Sequence, residues 1–154
     1  MDPVFPTVIG SSLSQVAHTL PGSLVHPRNL LLIAFKQRQQ DDVNTWLPVA
    51  AEVAAEFGDL GVFELPVISR AYRPVSGFID GGMRAGIPDR DVRDATITLY
   101  IDRGAFARAL EIESFDAIVP MLVTPAGSIL WRTVGPMAED AVAELRRTLE
   151  SGMQ

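Results

Sequence analysis

Few side chains in this 154-residue chain are equipped for chemistry, and cysteine is missing altogether. Its absence excludes disulfides, thiolate nucleophiles, zinc–cysteine sites and iron–sulfur clusters. His18 and His26 lie in a turn-rich stretch with too few companions for a metal site, so neither a metal nor a cofactor is expected. Two histidines in such a stretch also give no reason to assign a Ser-His-Asp triad. Lys36, the only lysine, could act as an activated amine if desolvated, but a solvated lysine is the plainer reading. Asp80 and Asp102 could in principle form an acid–base pair, although Asp102 is better explained as a helix cap. Gly77 to Gly86 matches neither the lysine-containing phosphate loop nor the strand-glycine-helix dinucleotide pattern, and reads as turns. Around it stand Arg70, Arg73, Arg84, Arg90 and Arg93 against Asp80, Asp89, Asp91 and Asp94, a local charge of +1 where the rest of the chain carries -7. Arginine recognises carboxylate or phosphate bidentately, with pairing to the nearby aspartates as the competing use.

The whole-chain balance limits what such a site can serve. A formal charge of -6 and a pI near 4.8 argue against a broad nucleic-acid or anionic-membrane footprint. Hydrophobic content of 47% with 21% charged residues fits one ordinary globular domain. No run approaches the ~18 apolar residues of a membrane helix. Met1-Asp2-Pro3-Val4 lacks the basic and apolar regions of a signal peptide, so the expected compartment is cytoplasmic.

The elements that must hold these residues follow from periodicity. Residues 1–29 form a lead-in punctuated by Pro6, Gly10, Pro21-Gly22 and Pro27, with an edge hairpin expected from Val4–Ile9 and Leu13–Val16. Leu30 to Phe35 is a continuous apolar run, the pattern of a strand buried on both faces. Val43, Trp46, Leu47, Ala50, Val53, Ala54 and Phe57 then recur at three- and four-residue intervals, predicting a helix. Asp41 or Asp42 would cap it, Gly58 would end it and Pro48 would kink it. Val62–Ile68 predicts a strand that Pro66 pushes toward an edge or an early end. A short helix around Val75–Met83 is weakened by its glycines. Ala95–Ile101 predicts a strand and Asp102 a capped short helix burying Phe106 and Leu110. Ile118–Val123 and Ser128–Val134 flank the turn Pro125-Ala126-Gly127, and a final helix runs from Ala138 to about Leu149. This order predicts an α/β fold with a mixed central sheet and helices on both faces.

That order, with three local matches, resembles the thioredoxin-like superfamily over residues 30–149. Ala34-Phe35 through Phe57 is similar to the family's strand-to-helix segment, with Pro48 at its helix-kinking proline. Aligned so, the redox cysteines would fall on Gln40 and Val43. Val119-Pro120-Met121-Leu122-Val123 resembles the segment holding the family's cis-proline, and Gly127 through Val134-Gly135 resembles the close of its hairpin. The resemblance implies a thioredoxin-like three-layer sandwich over 30–154 with an Arg/Gly-rich insert at about 69–94. Phe5-Pro6 and the strand before Trp46-Leu47-Pro48 look closer to the peroxiredoxin-like (alkyl hydroperoxide reductase type) branch. Neither that branch's peroxidatic cysteine nor its preceding threonine is present at the matching positions. A weaker likeness, carried by Phe78-Ile79-Asp80-Gly81-Gly82-Met83-Arg84, Thr98 to Asp102 and Ile129-Leu130-Trp131-Arg132, is to a mitochondrial ATP synthase assembly-factor family.

A redox scaffold without cysteine cannot exchange disulfides. The resulting expectation is a redox-inactive binding or chaperone-like module for a polypeptide partner. Its groove would comprise Gln40, Asp41, Val43 and Pro120, with Arg84 from the insert. The rivals are a diverged peroxiredoxin-like enzyme and a purely dimerising structural protein.

Overall fold

A computed structural model describes residues 3–87 and 89–152. Seven strands form one sheet: β1 (Val8–Ser12), β2 (Ala17–Leu20), β3 (Arg28–Ala34), β4 (Leu60–Ser69), β5 (Ile97–Ile101), β6 (Val119–Val123) and β7 (Ile129–Arg132), in spatial order β2-β1-β5-β4-β3-β6-β7. β4 runs parallel to β3 and β5, whereas β6, β7, β1 and β2 are joined antiparallel, so the sheet is mixed as expected.

β3 lies next to the central strand with six buried residues in succession, which explains its unbroken apolar run. Alternate residues feed two cores. Leu31 and Ile33 join Leu65, Leu99, Phe106 and Met121 on one face, covered by α4 (Arg103–Leu110). Leu30 and Leu32 join Val43, Trp46, Val53, Leu122 and Trp131 on the other, beneath α1 (Gln40–Phe57) and α5 (Glu139–Ser151). Trp46 is fully buried, donates from its indole N–H to the Gly135 carbonyl at 3.0 Å and meets Trp131 edge-on at 6.1 Å. Three layers result: helices, sheet, helices.

Local signals explain most element ends. Gly58 takes φ +74, the left-handed conformation that closes α1, and Asp102 caps α4 by accepting from the Ala105 N–H at 3.1 Å. Arg28 is 7% exposed at the start of β3, where it forms a bidentate pair with Asp59 (2.9 Å twice) and donates to the Leu149 carbonyl at 2.8 Å. It therefore ties the sheet to the α1–β4 loop and to α5.

Several expectations change. The hairpin of the lead-in exists but lies later, as β1 and β2, and Leu13–Val16 is its turn rather than a strand. Gly10 is why β1 can sit where it does: a Cβ there would lie 2.5 Å from Leu99 Cδ2 and 2.8 Å from the Thr98 carbonyl. β4 is central and ten residues long despite Pro66, because the proline stands at the last pair with β3, Ala34–Pro66, where its missing N–H interrupts little. Asp41 and Asp42 lie in the first turn of α1 but do not cap it; a 3-10 turn at Gln37–Gln39 leads in instead. The glycine-rich segment is more helical than expected, with a 3-10 stretch at Arg70–Val75, α2 (Ser76–Gly86) and α3 (Arg90–Asp94). Among the described residues no helix is long and apolar enough to cross a membrane.

Candidate functional site

At the N-terminal end of α1, where the resemblance places a redox pair, the structure builds a closed polar knot. Gln39 is buried: its side-chain oxygen accepts from the N–H groups of Phe35 (2.8 Å) and Lys36 (3.2 Å), and its amide donates to the Phe115 carbonyl (2.7 Å). Gln40, exposed, donates to Glu64 Oε1 and Asn44 Oδ1, each at 3.0 Å. Glu64, only 8% exposed, reaches up from β4 on the α1 face of the sheet. Val43 packs in the core under α1 and presents nothing to solvent. Asp41 is exposed on the first turn. Lys36 pairs with Asp116, and that salt bridge, led by the side-chain hydrogen bond from Lys36, holds the Asp116 carboxyl below its ordinary range. Arg103 lies 4.5 Å over the Phe115 ring and donates to the Phe35 carbonyl at 3.2 Å. These bonds commit most of the local donors and acceptors to the fold, Arg103 Nε being buried without a partner, and neither position of the expected redox pair carries a thiol.

Pro120 departs from the expectation twice. Among the described residues the one cis peptide bond is Leu20–Pro21, so the bond before Pro120 is trans. Pro120 is also buried inside β6, paired with Leu32, and its carbonyl accepts from the Thr133 N–H at 2.9 Å. Its missing N–H faces the residue just past the end of β7, which is where the ladder stops. Nor does Arg84 join this end of α1. Its Nε donates to the Leu13 carbonyl at 2.9 Å, at the end of β1. In the order β1-β5-β4-β3-β6 that lies four strand spacings from Pro120, about 19 Å.

What the structure opens instead is a cleft between α2 and the β1–β5 surface. It encloses about 570 Å³ and is walled by Ile9 and Ser11 on one side and by Ser76, Gly77, Asp80 and Arg84 on the other. Tyr100 on β5 donates its hydroxyl to Asp80 Oδ1 at 2.6 Å, and Thr98 Oγ1 reaches Asp80 Oδ2 at 3.4 Å. Burial, then the Asp80 hydrogen bond and charge, push the Tyr100 hydroxyl well above the ordinary tyrosine range, so it stays protonated and donating. The bond thus anchors α2, which has no buried residue of its own, to the sheet. Asp80 and Asp102 serve separate purposes: one holds Tyr100, the other caps α4. A second opening of about 330 Å³ adjoins, lined by Leu13, Ser14, Gln15, Arg84, Arg90 and Arg93, and shares Gln15 and Arg84 with the first.

The arginines of this region do not take their expected intramolecular partners. Among the described residues, no carboxylate lies within salt-bridge distance of Arg70, Arg73, Arg84, Arg90 or Arg93. Arg73, Arg84 and Arg93 donate to backbone carbonyls of Tyr100, Leu13, Ile87 and Arg84. Carbonyls orient a guanidinium without cancelling its charge. Sequence reading marked the arginine cluster but missed Tyr100, Glu64 and Gln39, whose types and spacing carry no signal.

These layers, this strand order and an α1 that starts beside β3 define a thioredoxin-like fold, and solved structures agree. The lipoprotein thioredoxin Etrx1 of Streptococcus pneumoniae superposes with a TM-score of 0.58 at 18% identity, covering 95% of this chain and 99% of that one. The thioredoxin domain of a thiol-disulfide oxidoreductase from Bacteroides vulgatus gives 0.57 at 18%, covering 94% and 93%. BsSco, of the Sco family of cytochrome c oxidase assembly proteins, gives 0.61 at 13%, covering 97% and 95%. At such identities the likeness is one of fold. No family model and no curated protein matches the sequence. The chain shares that fold and has no cysteine.

Proposed function

We propose that this protein is a redox-inactive thioredoxin-fold module that binds a polypeptide segment in the cleft between α2 and β1. The observation that carries the reading is the contrast between the two places a ligand could go. The end of α1 is cysteine-free and tied shut by Gln39, Gln40 and the Lys36–Asp116 pair. The α2 cleft is open and offers a 69% exposed Ile9 beside hydroxyl, carboxylate and guanidinium groups, a mixture that suits side chains and backbone together. The finer likenesses belong to this reading as well. The peroxiredoxin-like resemblance concerns the lead-in, and the stretch resembling the assembly-factor family, Phe78 to Arg84, lies on α2 itself. Partner binding outside the end of α1 is compatible with either ancestry, whereas turnover would need a group this chain lacks.

A peptide array probed with the purified protein tests the proposal. Gly77 lines the cleft and a Cβ there meets nothing within 4 Å, so Gly77→Trp fills the opening while improving helix propensity. Gly82, equally open in space and not among the cleft residues, supplies Gly82→Trp as the control. A set of peptides bound by wild type and Gly82→Trp but lost in Gly77→Trp is expected. An array with no bound peptide, or one unchanged by Gly77→Trp, overturns the reading. Light scattering on the same samples decides whether self-association, the dimerising rival, occupies this face.

A further inference from the structure

Resting on that reading, we infer that the segment held in the cleft is acidic: an extended stretch of about five residues carrying carboxylates toward both ends and also presenting an apolar side chain. The inference comes from how the charges are spaced and what they leave unsatisfied. Arg73 lies three residues before Ser76, the start of α2, whereas Arg84, Arg90 and Arg93 gather at its other end around the second opening. The eleven residues of α2 measure about 16 Å, the length of roughly five residues of extended chain.

Four guanidinium groups therefore bracket two adjoining openings in which Asp80 is the one carboxylate among the lining residues, and Asp80 is engaged by Tyr100 and Thr98. Asp89, Asp91 and Asp94 lie on and beside α3 without reaching salt-bridge distance of these arginines. Asp89 spends an oxygen on capping α3, accepting from the Asp91 N–H at 2.8 Å. The tethers to backbone carbonyls fix one edge of Arg73, Arg84 and Arg93, which lowers the ordering cost when the remaining N–H groups meet an anion. Ile9, 69% exposed on β1, lines the same cleft and supplies an apolar contact.

A polynucleotide would also supply negative charge along an extended chain. The -7 carried by the rest of the protein repels a long polyanion, whereas a five-residue segment feels mainly the local arginines. The acidic peptide is the better fit.

Fluorescence anisotropy on peptides taken from the array tests this. Each acidic peptide is paired with its Asp→Asn and Glu→Gln counterpart, and both are titrated with wild type, Gly77→Trp and Arg90→Glu. Arg90 is exposed and its side chain makes no hydrogen bond within the described fold, so Arg90→Glu leaves the structure intact. Removal of the carboxylates is expected to weaken binding about tenfold or more, the effect of one charge-assisted hydrogen bond. Arg90→Glu should weaken the acidic peptide by a similar factor and leave the amide peptide unchanged. If amide and acidic peptides bind alike, or Arg90→Glu changes nothing while Gly77→Trp still abolishes binding, the cleft holds peptides and the acidic preference is wrong. If no peptide binds, the proposed function itself fails. A single-stranded oligonucleotide of matching length that binds more tightly than any peptide overturns the choice of a polypeptide.

Discussion

Two cysteines placed where the thioredoxin likeness would have them, Gln40→Cys with Val43→Cys, should restore a disulfide but little exchange activity. The positions have the needed asymmetry, since Gln40 is exposed and Val43 is 2% exposed. In a helix, residues three apart have Cβ atoms about 5–6 Å apart, whereas a disulfide needs about 3.5–4.5 Å. The difference is closable here because Gln40 is the first residue of α1 and its N–H bonds the Gln37 carbonyl of the preceding 3-10 turn. In the reduced state, Val43→Cys trims a core side chain at about 1 kcal/mol, and loss of Gln40 strips nearly buried Glu64 of its donor at about 1–3 kcal/mol. Oxidation closes a four-residue loop, for which chain entropy returns about 2 kcal/mol. At roughly 2–4 °C per kcal/mol, the reduced variant should melt about 4–16 °C below wild type and regain about 4–8 °C on oxidation. Thermal melts with and without reductant, with mass spectrometry for loss of the two thiol hydrogens, read both quantities. Glu64, Asp41 and Asp42 would surround the outer of the two new thiols with negative charge, opposing the helix terminus. That thiol should therefore stay mostly protonated at neutral pH and attack slowly. Thiols that stay free under oxidised glutathione, or a disulfide that lowers the melting temperature, would refute the placement of Gln40 and Val43 at the redox positions.

Two further outcomes concern the supports of the fold and the cleft. Asp59→Asn should cost about 1–2 kcal/mol at pH 7, a buried-pair penalty reduced because 35% of the Asp59 side chain is open to water. The Arg28 hydrogen bond holds the Asp59 carboxyl below its ordinary 3.8, so this stability is fully present above that pH and is lost as the pH falls through the lower folded value. The gap between denaturant melts of the two proteins should therefore begin to close as the pH falls below about 4, and a gap that widens with acid contradicts the assignment. Tyr100→Phe should cost about 1–2 kcal/mol by taking from Asp80 the shorter of its two hydrogen bonds, with faster amide exchange confined to α2. Unchanged exchange in α2 would mean that the Asp80 bond does not anchor the helix.

The reach of sequence reading here follows from which interactions are local. The six buried residues of β3, the α1 stripe, Gly58 and the Asp102 cap announce themselves because one residue and its near neighbours decide each of them. Pro66 misled because edge preference is a tertiary matter: the proline is tolerated in a central strand because it stands opposite Ala34, the last residue of β3. The β1–β2 hairpin was displaced because Leu13 looks like a strand residue, yet it is buried as the turn that receives Arg84. Four glycines argue against α2, and it forms nonetheless because Tyr100 and the carbonyl tethers hold it from outside. The Gln39 knot was invisible because the Phe115 carbonyl that closes it comes from 76 residues along the chain, even though Phe35 and Lys36 are near neighbours.

The placement of charge then explains why one end of the scaffold should be quiet and another active. Around α1 the strong polar groups have found protein partners of opposite or complementary character: Lys36 with Asp116, Gln40 with Glu64, Gln39 with three backbone groups. Such pairs gain nothing by releasing one another for a ligand. Around α2 the cations are oriented by neutral carbonyls and remain electrostatically uncompensated within a protein that is otherwise acidic. A guanidinium already fixed in direction but still carrying its full charge is closer to its bound state than a solvated or ion-paired one. The free-energy gain from an incoming carboxylate is therefore concentrated at the insert, and a search for partners belongs there rather than at the terminus of α1.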